Sequence, residues 1–289
     1  MRVIDTIADY RSHLDALRGA GSTIGLVPTM GYLHDGHVSL VQASVAAGDA
    51  TAVTIFVNPL QFAAGEDLAS YPRDLDRDLE LCERAGAAVV LAPDVTEMYP
   101  RPSLTTVTVG QLGETMEGAS RPTHFAGVAT VVTKLFAMTG ACRAYFGEKD
   151  FQQLAIVTRL AEDLNLPVEV VGCPIVREPD GVAMSSRNVY LTTDERAAAP
   201  ALHRALRAGA AAIEQGERRP DVVRAAMAAV VDAEPLAVLD YAEVIDPDTM
   251  RTPRALVPGA AVRLLIAAQL GVPRLLDNLG VTVPGAGDA

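Results

Sequence analysis

Positive charge is scarce in this sequence, and lysine is almost absent from it. Among 289 residues, Lys and Arg together number 24 against 36 Asp and Glu, so the formal net charge is −12. The acidic balance argues against a surface that binds nucleic acid or an anionic membrane, because either partner needs a basic face. A phosphorylated small molecule is still compatible, since a few basic side chains can gather around one site. Lys134 and Lys149 are the two lysines among the 24 basic residues. A lysine in a chain that otherwise uses arginine indicates a need for a compact, mobile ammonium group, with chance as the alternative.

Cysteine is also rare, and long apolar runs are missing. The cysteines Cys82, Cys142 and Cys173 lie far apart and form no C-x-x-C pair, so neither a zinc site nor a disulfide framework is predicted. No apolar run reaches the length of a membrane span, and residues 1–5 carry no apolar signal core. We therefore expect a cytoplasmic protein that works in a reducing setting and does not associate with membranes.

Short apolar segments alternate with amphipathic helical patterns through the first part of the chain. The predicted strands are residues 23–28, 51–57, 87–91, 143–146 and 168–171, with a further candidate at 105–109. This alternation is typical of βαβ units on a parallel sheet. After residue 177 the pattern changes to helices at 193–214 and 219–232 and strands at 237–245 and 261–267. The sequence thus predicts an α/β domain over 1–176 and a smaller α+β domain over 177–289.

The stretch PTMGYLHDGH, residues 28–37, follows the first of these strands and runs into a helical pattern. A helix N-terminus has unpaired N–H groups and a dipole that favours an anion. His34 and His37 at this point could donate to phosphate oxygens and stabilise charge on a departing polyphosphate. Two alternatives remain. The histidines could chelate a metal, although no third ligand is evident, or they could be purely structural.

Other polar residues also follow predicted strands. Asn58 and Gln61 end the second strand, where ligands of parallel sheets bind. Lys149, in the segment GEKD, precedes a helix, where a cation is badly placed unless an anion shares the site. Asp150 beside it could simply cap that helix. Residues 184–187, MSSR, supply hydroxyls and a guanidinium that suit terminal phosphates, with a plain turn as the alternative.

Five spaced blocks, PTMGYLHDGH, IFVNPLQF, EGASRPTHF, YFGEKDFQQL and DGVAMSSRN, closely resemble the pantoate–β-alanine ligase family. The similarity extends to RLLDN at residues 274–278. Departures are mild: Asp35 stands where Glu is usual, and Leu60 where Met is usual. The resemblance implies a Rossmann-like parallel sheet with helices on both faces, a C-terminal lid domain and a homodimer. It also implies two chemical steps, in which pantoate and MgATP form pantoyl adenylate and pyrophosphate, and β-alanine then displaces AMP to give pantothenate.

The resemblance further implies roles for individual residues. His34, His37, Lys149 and Arg187 would act in catalysis. Pantoate and β-alanine would be bound by Gln61, Gln153 and Asn58. Asp78, in an acidic helix, is the candidate neighbour of Mg²⁺, with an ordinary solvated carboxylate as the alternative. The ATP-binding residues would be Met30, Gly31, Tyr32, Leu33, His34, Asp35, Gly36, His37, Gly147, Glu148, Lys149, Asp150, Val176, Met184, Ser185, Ser186 and Arg187.

Two other functions remain as alternatives. A related nucleotidyltransferase would move AMP onto a phosphorylated acceptor, but such enzymes are usually shorter and lack the FGEKDFQQL and MSSR blocks together. A catalytically silent nucleotide-binding module is the second. The presence of His34, His37, Lys149 and Arg187 argues against it.

Overall fold

The computed structural model describes residues 1–63 and 65–285. Two compact units make up the chain. The first contains Met1–Glu148 and Gln152–Pro174, and the second contains Lys149–Phe151 and the chain from Ile175 onward. The short segment Lys149–Phe151, which the sequence places in the N-terminal domain, therefore groups with the C-terminal unit.

Six parallel strands form the sheet of the first unit. They are β1 (Arg2–Ile4), β2 (Ile24–Thr29), β3 (Ala50–Ile55), β4 (Val89–Leu91), β5 (Cys142–Gly147) and β6 (Val168–Cys173). Their order is β1-β4-β3-β2-β5-β6. After β2 the chain builds outward on one side through β3 and β4, then returns to add β5 and β6 on the other. The carboxyl ends of β2 and β5 thus flank the switch point, where doubly wound sheets bind ligands.

Seven helices accompany this sheet within the described residues. They are α1 (Ile7–Gly19), α2 (Asp35–Ala46), α3 (Leu75–Ala85), α4 (Val95–Met98), α5 (Glu117–Ser120), α6 (His124–Thr139) and α7 (Phe151–Asp163). Neighbouring residues of β2 point to opposite faces. Leu26 packs in a core with side chains of α1, α6 and α7, and Val27 packs in another with side chains of α2 and α3. The predicted α/β sheet with helices on both faces is confirmed.

The second unit is a three-stranded antiparallel sheet with helices. Its elements are α8 (Thr193–Ala198), α9 (Pro200–Glu214), α10 (Pro220–Asp232), β7 (Ala237–Ile245), β8 (Ala261–Leu270) and β9 (Arg274–Thr282). The strand order is β7-β8-β9. Leu206 and Ile213 of α9 pack with Met227 of α10 and with Leu264 and Ile266 of β8. This confirms the predicted α+β character of the region.

Two local predictions are wrong, and two strands, β1 and β9, are missing from the sequence-based assignment. Residues 105–109 are not a strand, because they lie along α6, where the Val107 N–H donates to Thr130 Oγ1 at 3.0 Å. The predicted helix at 193–214 is two helices, since Pro200 has no N–H to continue the first. Strand β9 was not predicted, because Asp277, Asn278 and Gly280 have low β-propensity. No helix in the described ranges is long and apolar enough to cross a membrane.

Candidate active site

The loop between β2 and α2 carries the two histidines of the HxGH stretch. Gly31 and Tyr32 adopt φ values of 85° and 50°, and this left-handed turn redirects the chain from the strand into the helix. His34 is the N-cap of α2, and its Nδ1 accepts the Gly36 N–H at 3.1 Å. His37 Nδ1 accepts the His34 N–H at 3.3 Å. The two imidazoles therefore form a reciprocal capping box in place of the usual hydroxyl and carboxylate.

This capping arrangement decides which ring nitrogens carry protons. Because Nδ1 of each ring accepts a backbone N–H, each neutral imidazole must hold its proton on Nε2. The rings of His34 and His37 are adjacent, with centroids 4.0 Å apart. Two Nε2–H donors thus lie at a helix N-terminus, at the carboxyl edge of the sheet. The Nδ1 atoms therefore hold the backbone of the loop, and contact of the Nε2 atoms with phosphate stays a prediction.

Asp78, the predicted neighbour of Mg²⁺, has a different role in the structure. This side chain of α3 is buried, and its two oxygens accept the backbone N–H groups of Tyr32 and Leu33, each at 2.7 Å. Burial raises its pKa above the ordinary value, and the two N–H groups lower it in part. Within the described chain, no group of three His, Cys, Asp or Glu side chains could hold a metal ion. The residues around Asp78 therefore do not fit a resident magnesium site.

Asn58, predicted to bind substrate, is buried at the end of β3 with its amide fully engaged. Its Oδ1 accepts the Tyr99 hydroxyl at 2.8 Å and the Leu60 N–H at 3.3 Å. Its Nδ2 donates to Gly127 O at 3.1 Å and to Gln61 Oε1 at 3.2 Å. Two donors and two acceptors are all that an amide offers. In this structure Asn58 orients Gln61, and direct contact of Asn58 with a substrate stays a prediction.

The orientation of the Gln61 amide follows from that of Asn58. Since a backbone N–H and a backbone carbonyl determine which way Asn58 points, Gln61 must present Oε1 to Asn58. Its Nε2 then points away from Asn58 and donates to Met30 Sδ in the histidine loop, and contact of this amide with a substrate stays a prediction. Burial raises the pKa of Tyr99 to about 12, and its protonated hydroxyl donates to Asn58 Oδ1. Lys134 lies 5.0 Å from the centroid of the Tyr99 ring.

Replacing Asn58 with aspartate should reverse this orientation. A carboxylate only accepts, so Gln61 must turn Nε2 toward it and present Oε1 to the substrate. We expect the KM of the substrate that Gln61 binds to rise about 10- to 100-fold, the equivalent of one mispaired buried polar group. Tyr99→Phe is the matched control, because the Leu60 N–H still orients Asn58, and its effect should be well below that of Asn58→Asp. An unchanged KM for that substrate in Asn58→Asp would rule out the assignment of Gln61 Nε2 as the donor.

The adjacent glutamines of α7 differ in their surroundings. Gln152 is buried, donates to Leu112 O and Thr115 O at 2.7 and 2.8 Å, and accepts the Glu117 N–H at 3.1 Å. It therefore holds the glycine-rich segment that precedes α6. Gln153 is partly exposed, and no hydrogen bond of its side chain is found in the described part of the chain. The two glutamines thus differ in burial, and contact of Gln153 with a substrate stays a prediction.

In the second unit, Lys149 belongs to a short 3-10 turn, Glu148–Asp150, that follows β5 and Gly147. Its Nζ lies 3.9 Å from Asp150 Oδ1, and its carbonyl accepts Asn278 Nδ2 at 2.7 Å. Arg263 donates to Asn278 Oδ1 at 2.7 Å and lies over the Phe151 ring at 4.3 Å. Asn278 therefore holds the lysine turn. The sequence signal for Asn278 is its place in the RLLDN block, but the block alone suggested no role for this residue.

The MSSR segment follows a small hairpin in the same unit. Met184 N–H donates to Val176 O at 3.0 Å, so the two ends of the hairpin are adjacent. Ser185 Oγ accepts the Arg187 N–H at 3.3 Å and caps the 3-10 helix Ser186–Tyr190. The segment is thus a helical turn capped by Ser185. Ser185 and Lys149 line one small cavity of the second unit, which brings two of the predicted phosphate contacts together.

The sequence matches a family model and named relatives over nearly its whole length. Residues 2–280 match the model of the family described as pantoate-beta-alanine ligase. A pantothenate synthetase of Roseiflexus sp. (strain RS-1) is 56% identical over 278 residues, which cover 96% of this chain and 98% of that protein.

Two solved structures are similar over nearly their whole length. The pantothenate synthetase of Thermus thermophilus superposes with a TM-score of 0.92 at 46% identity, covering 98% of this chain and 100% of that one. A pantoate-beta-alanine ligase of Francisella tularensis, solved in complex with beta-gamma ATP and beta-alanine, superposes with a TM-score of 0.79 at 30% identity, covering 96% and 97%. The family match, the identity with named relatives and the shared fold therefore show that the chain belongs to the pantoate–beta-alanine ligase family.

Proposed function

We propose that this chain condenses pantoate with β-alanine at the expense of ATP, giving pantothenate, AMP and pyrophosphate. It is a ligase that forms an amide bond. The observation that carries the proposal is the pair of Nε2–H donors of His34 and His37 at the switch point, connected through Met30 to the oriented amide of Gln61. The histidine pair suits a polyphosphate, and the Gln61 amide suits a small polar acid.

In the first step, a carboxylate oxygen of pantoate attacks the α-phosphorus of ATP. A new P–O bond forms, the bond from the α-phosphorus to the bridging oxygen breaks, and pyrophosphate leaves with the electron pair. The His34 and His37 donors stabilise the charge that grows on the departing phosphates. Gln61 donates to an oxygen of pantoate, and Gln153 supplies a second amide contact. Lys149, Ser185, Ser186 and Arg187 contribute further phosphate contacts.

In the second step, the amine of β-alanine attacks the acyl carbon of pantoyl adenylate. The C–N bond forms, AMP leaves, and the nitrogen loses a proton. Water would hydrolyse the mixed anhydride, so the reaction requires a site closed to solvent. We propose that the C-terminal unit acts as the lid.

Magnesium enters in this proposal as part of the substrate MgATP, since Asp78 is engaged with the backbone. We also propose a homodimer that works in the cytoplasm. The three cysteines support a reducing compartment, because all are unpaired and buried. Binding of nucleic acid is not expected from a chain of net charge −12.

Exchange of labelled pyrophosphate into ATP tests the proposal. We expect exchange that requires pantoate and does not require β-alanine. Pantoate and ATP form the adenylate and release pyrophosphate in the first step, and reversal of that step places labelled pyrophosphate into ATP. A reaction with β-alanine but no pantoate is the control. Exchange without pantoate would indicate a different acceptor, and absence of exchange under every condition would contradict the proposed function.

A further inference from the structure

We propose that Asp78, assisted by Arg77, is a positioning residue that holds the histidine loop in its active shape, and that it is not a metal ligand. The inference rests on the proposed function. It concerns two side chains of α3 that form hydrogen bonds with the backbone of the loop.

The contacts place both side chains of α3 on one short piece of backbone. The Asp78 oxygens accept the N–H groups of Tyr32 and Leu33 at 2.7 Å each. Arg77 Nη1 donates to the carbonyl of Leu33 at 2.9 Å, and its guanidinium lies 5.3 Å from the centroid of the Tyr32 ring. A β-carbon added at Gly31 would lie 3.1 Å from Asp78 Oδ2, so the carboxylate is also in close contact with the turn.

The loop needs these contacts because of its backbone conformation. Tyr32 has a φ of 50°, which costs free energy for a residue with a β-carbon, and Gly31 before it is also left-handed. Charge-assisted bonds to successive N–H groups offset that cost. His34 follows Leu33 directly, and its extended conformation begins the capping box of α2. The positions of both imidazoles therefore depend on the turn that Asp78 holds.

The same contacts argue against metal ligation by Asp78. Each of its oxygens already accepts a short hydrogen bond, and Arg77 Nη1 lies 3.8 Å from Oδ1. A cation would have to compete with two N–H groups and a guanidinium. The described residues also offer no second and third ligand grouped with it.

Asp78→Asn is the decisive variant, with Asp76→Asn as the matched control. Asparagine can accept one N–H, but its Nδ2 then faces the other, so the turn shifts while the side-chain volume is kept. Asp76 is an exposed carboxylate of the same helix, and its replacement changes the net charge equally. Pyrophosphate exchange is measured at saturating ATP and pantoate over a range of Mg²⁺ concentrations, and thermal unfolding is recorded for each protein.

For Asp78→Asn we expect kcat to fall about 10²-fold, the effect of a displacement of about 1 Å at reacting groups. Half-saturation by Mg²⁺ should not change, and Asp76→Asn should match the wild type. Long-range ¹⁵N–¹H NMR spectra of the histidines should show altered ring tautomers in Asp78→Asn only. A raised Mg²⁺ requirement with kcat restored at high Mg²⁺ would overturn the inference, as would a wild-type kcat.

Arg77→Met keeps the inference testable if Asp78→Asn does not fold. The Arg77 side chain is 45% exposed, so its loss should leave the fold intact. It removes the donor to Leu33 O, and we expect kcat to fall by several-fold to about 10-fold, the equivalent of one hydrogen bond, again without a change in the Mg²⁺ requirement. An unchanged kcat in this variant would contradict the inference. A wild-type protein without pantoate-dependent exchange would instead reject the proposed function.

Discussion

Replacing His34 with asparagine should lower the rate of pantoate-dependent pyrophosphate exchange about 10²- to 10³-fold, the usual loss for one donor to a developing oxyanion. The stability of α2 should be kept, because asparagine is among the best N-cap residues and its Oδ1 can accept the Gly36 N–H in place of Nδ1. The Nε2–H donor and the ring contact with His37 are lost, while the cap is kept. Exchange at saturating substrates and the free energy of unfolding in urea are the two measurements.

His34→Ala is the companion variant, because it removes the cap together with the donor. Its catalytic loss should equal that of His34→Asn, and its free energy of unfolding should fall by about 1 kcal/mol. The pair separates the two roles of one ring. If His34→Asn exchanges pyrophosphate at the wild-type rate, the imidazole serves only as a cap, and the structural alternative is correct.

The second large effect is expected from Gly127→Ala in α6. The added carbon would lie 2.2 Å from Leu60 O and 2.6 Å from Gln61 Cα, so backbone must move by about 1 Å. Because Asn58 Nδ2 also donates to Gly127 O, the amide that orients Gln61 moves as well. We expect kcat/KM for pantoate to fall about 10²-fold and the unfolding free energy to fall by about 1–3 kcal/mol.

Gly19→Ala is the control for this change. No atom lies within 4 Å of the carbon it would add, and it ends α1, where alanine is favoured over glycine. It should leave kcat/KM unaltered and stability equal or slightly higher. Wild-type kinetics for pantoate in Gly127→Ala would show that the close contact between α6 and the 3-10 turn Pro59–Gln61 does not set the position of Gln61.

The parts of the site that lie within one motif could be predicted from the sequence. A strand, a turn and a helix in succession place His34 and His37 at a helix N-terminus, because the geometry of that unit depends on neighbours in the chain. The alternation of strands and helices likewise predicted the parallel sheet. Neither inference required a contact between distant residues.

The roles of Asn58 and Asp78 could not be predicted in this way. Each depends on a partner far along the chain: Gly127 O and the Tyr99 hydroxyl for Asn58, and the N–H groups of Tyr32 and Leu33 for Asp78. A polar residue beside a strand end looks available for substrate until its own hydrogen bonds are counted. Burial of those polar groups was the missing information.

The grouping of Lys149–Phe151 with the C-terminal unit has a consequence for chimeric proteins. A crossover between two relatives at residues 174 and 175 would take the lysine turn from one parent and Asn278 and Arg263 from the other. The bond from Asn278 to Lys149 O would then join side chains and backbone that were not selected together. Hybrids that inherit residues 149–151 from the same parent as the C-terminal unit take both partners of that hydrogen bond from one protein.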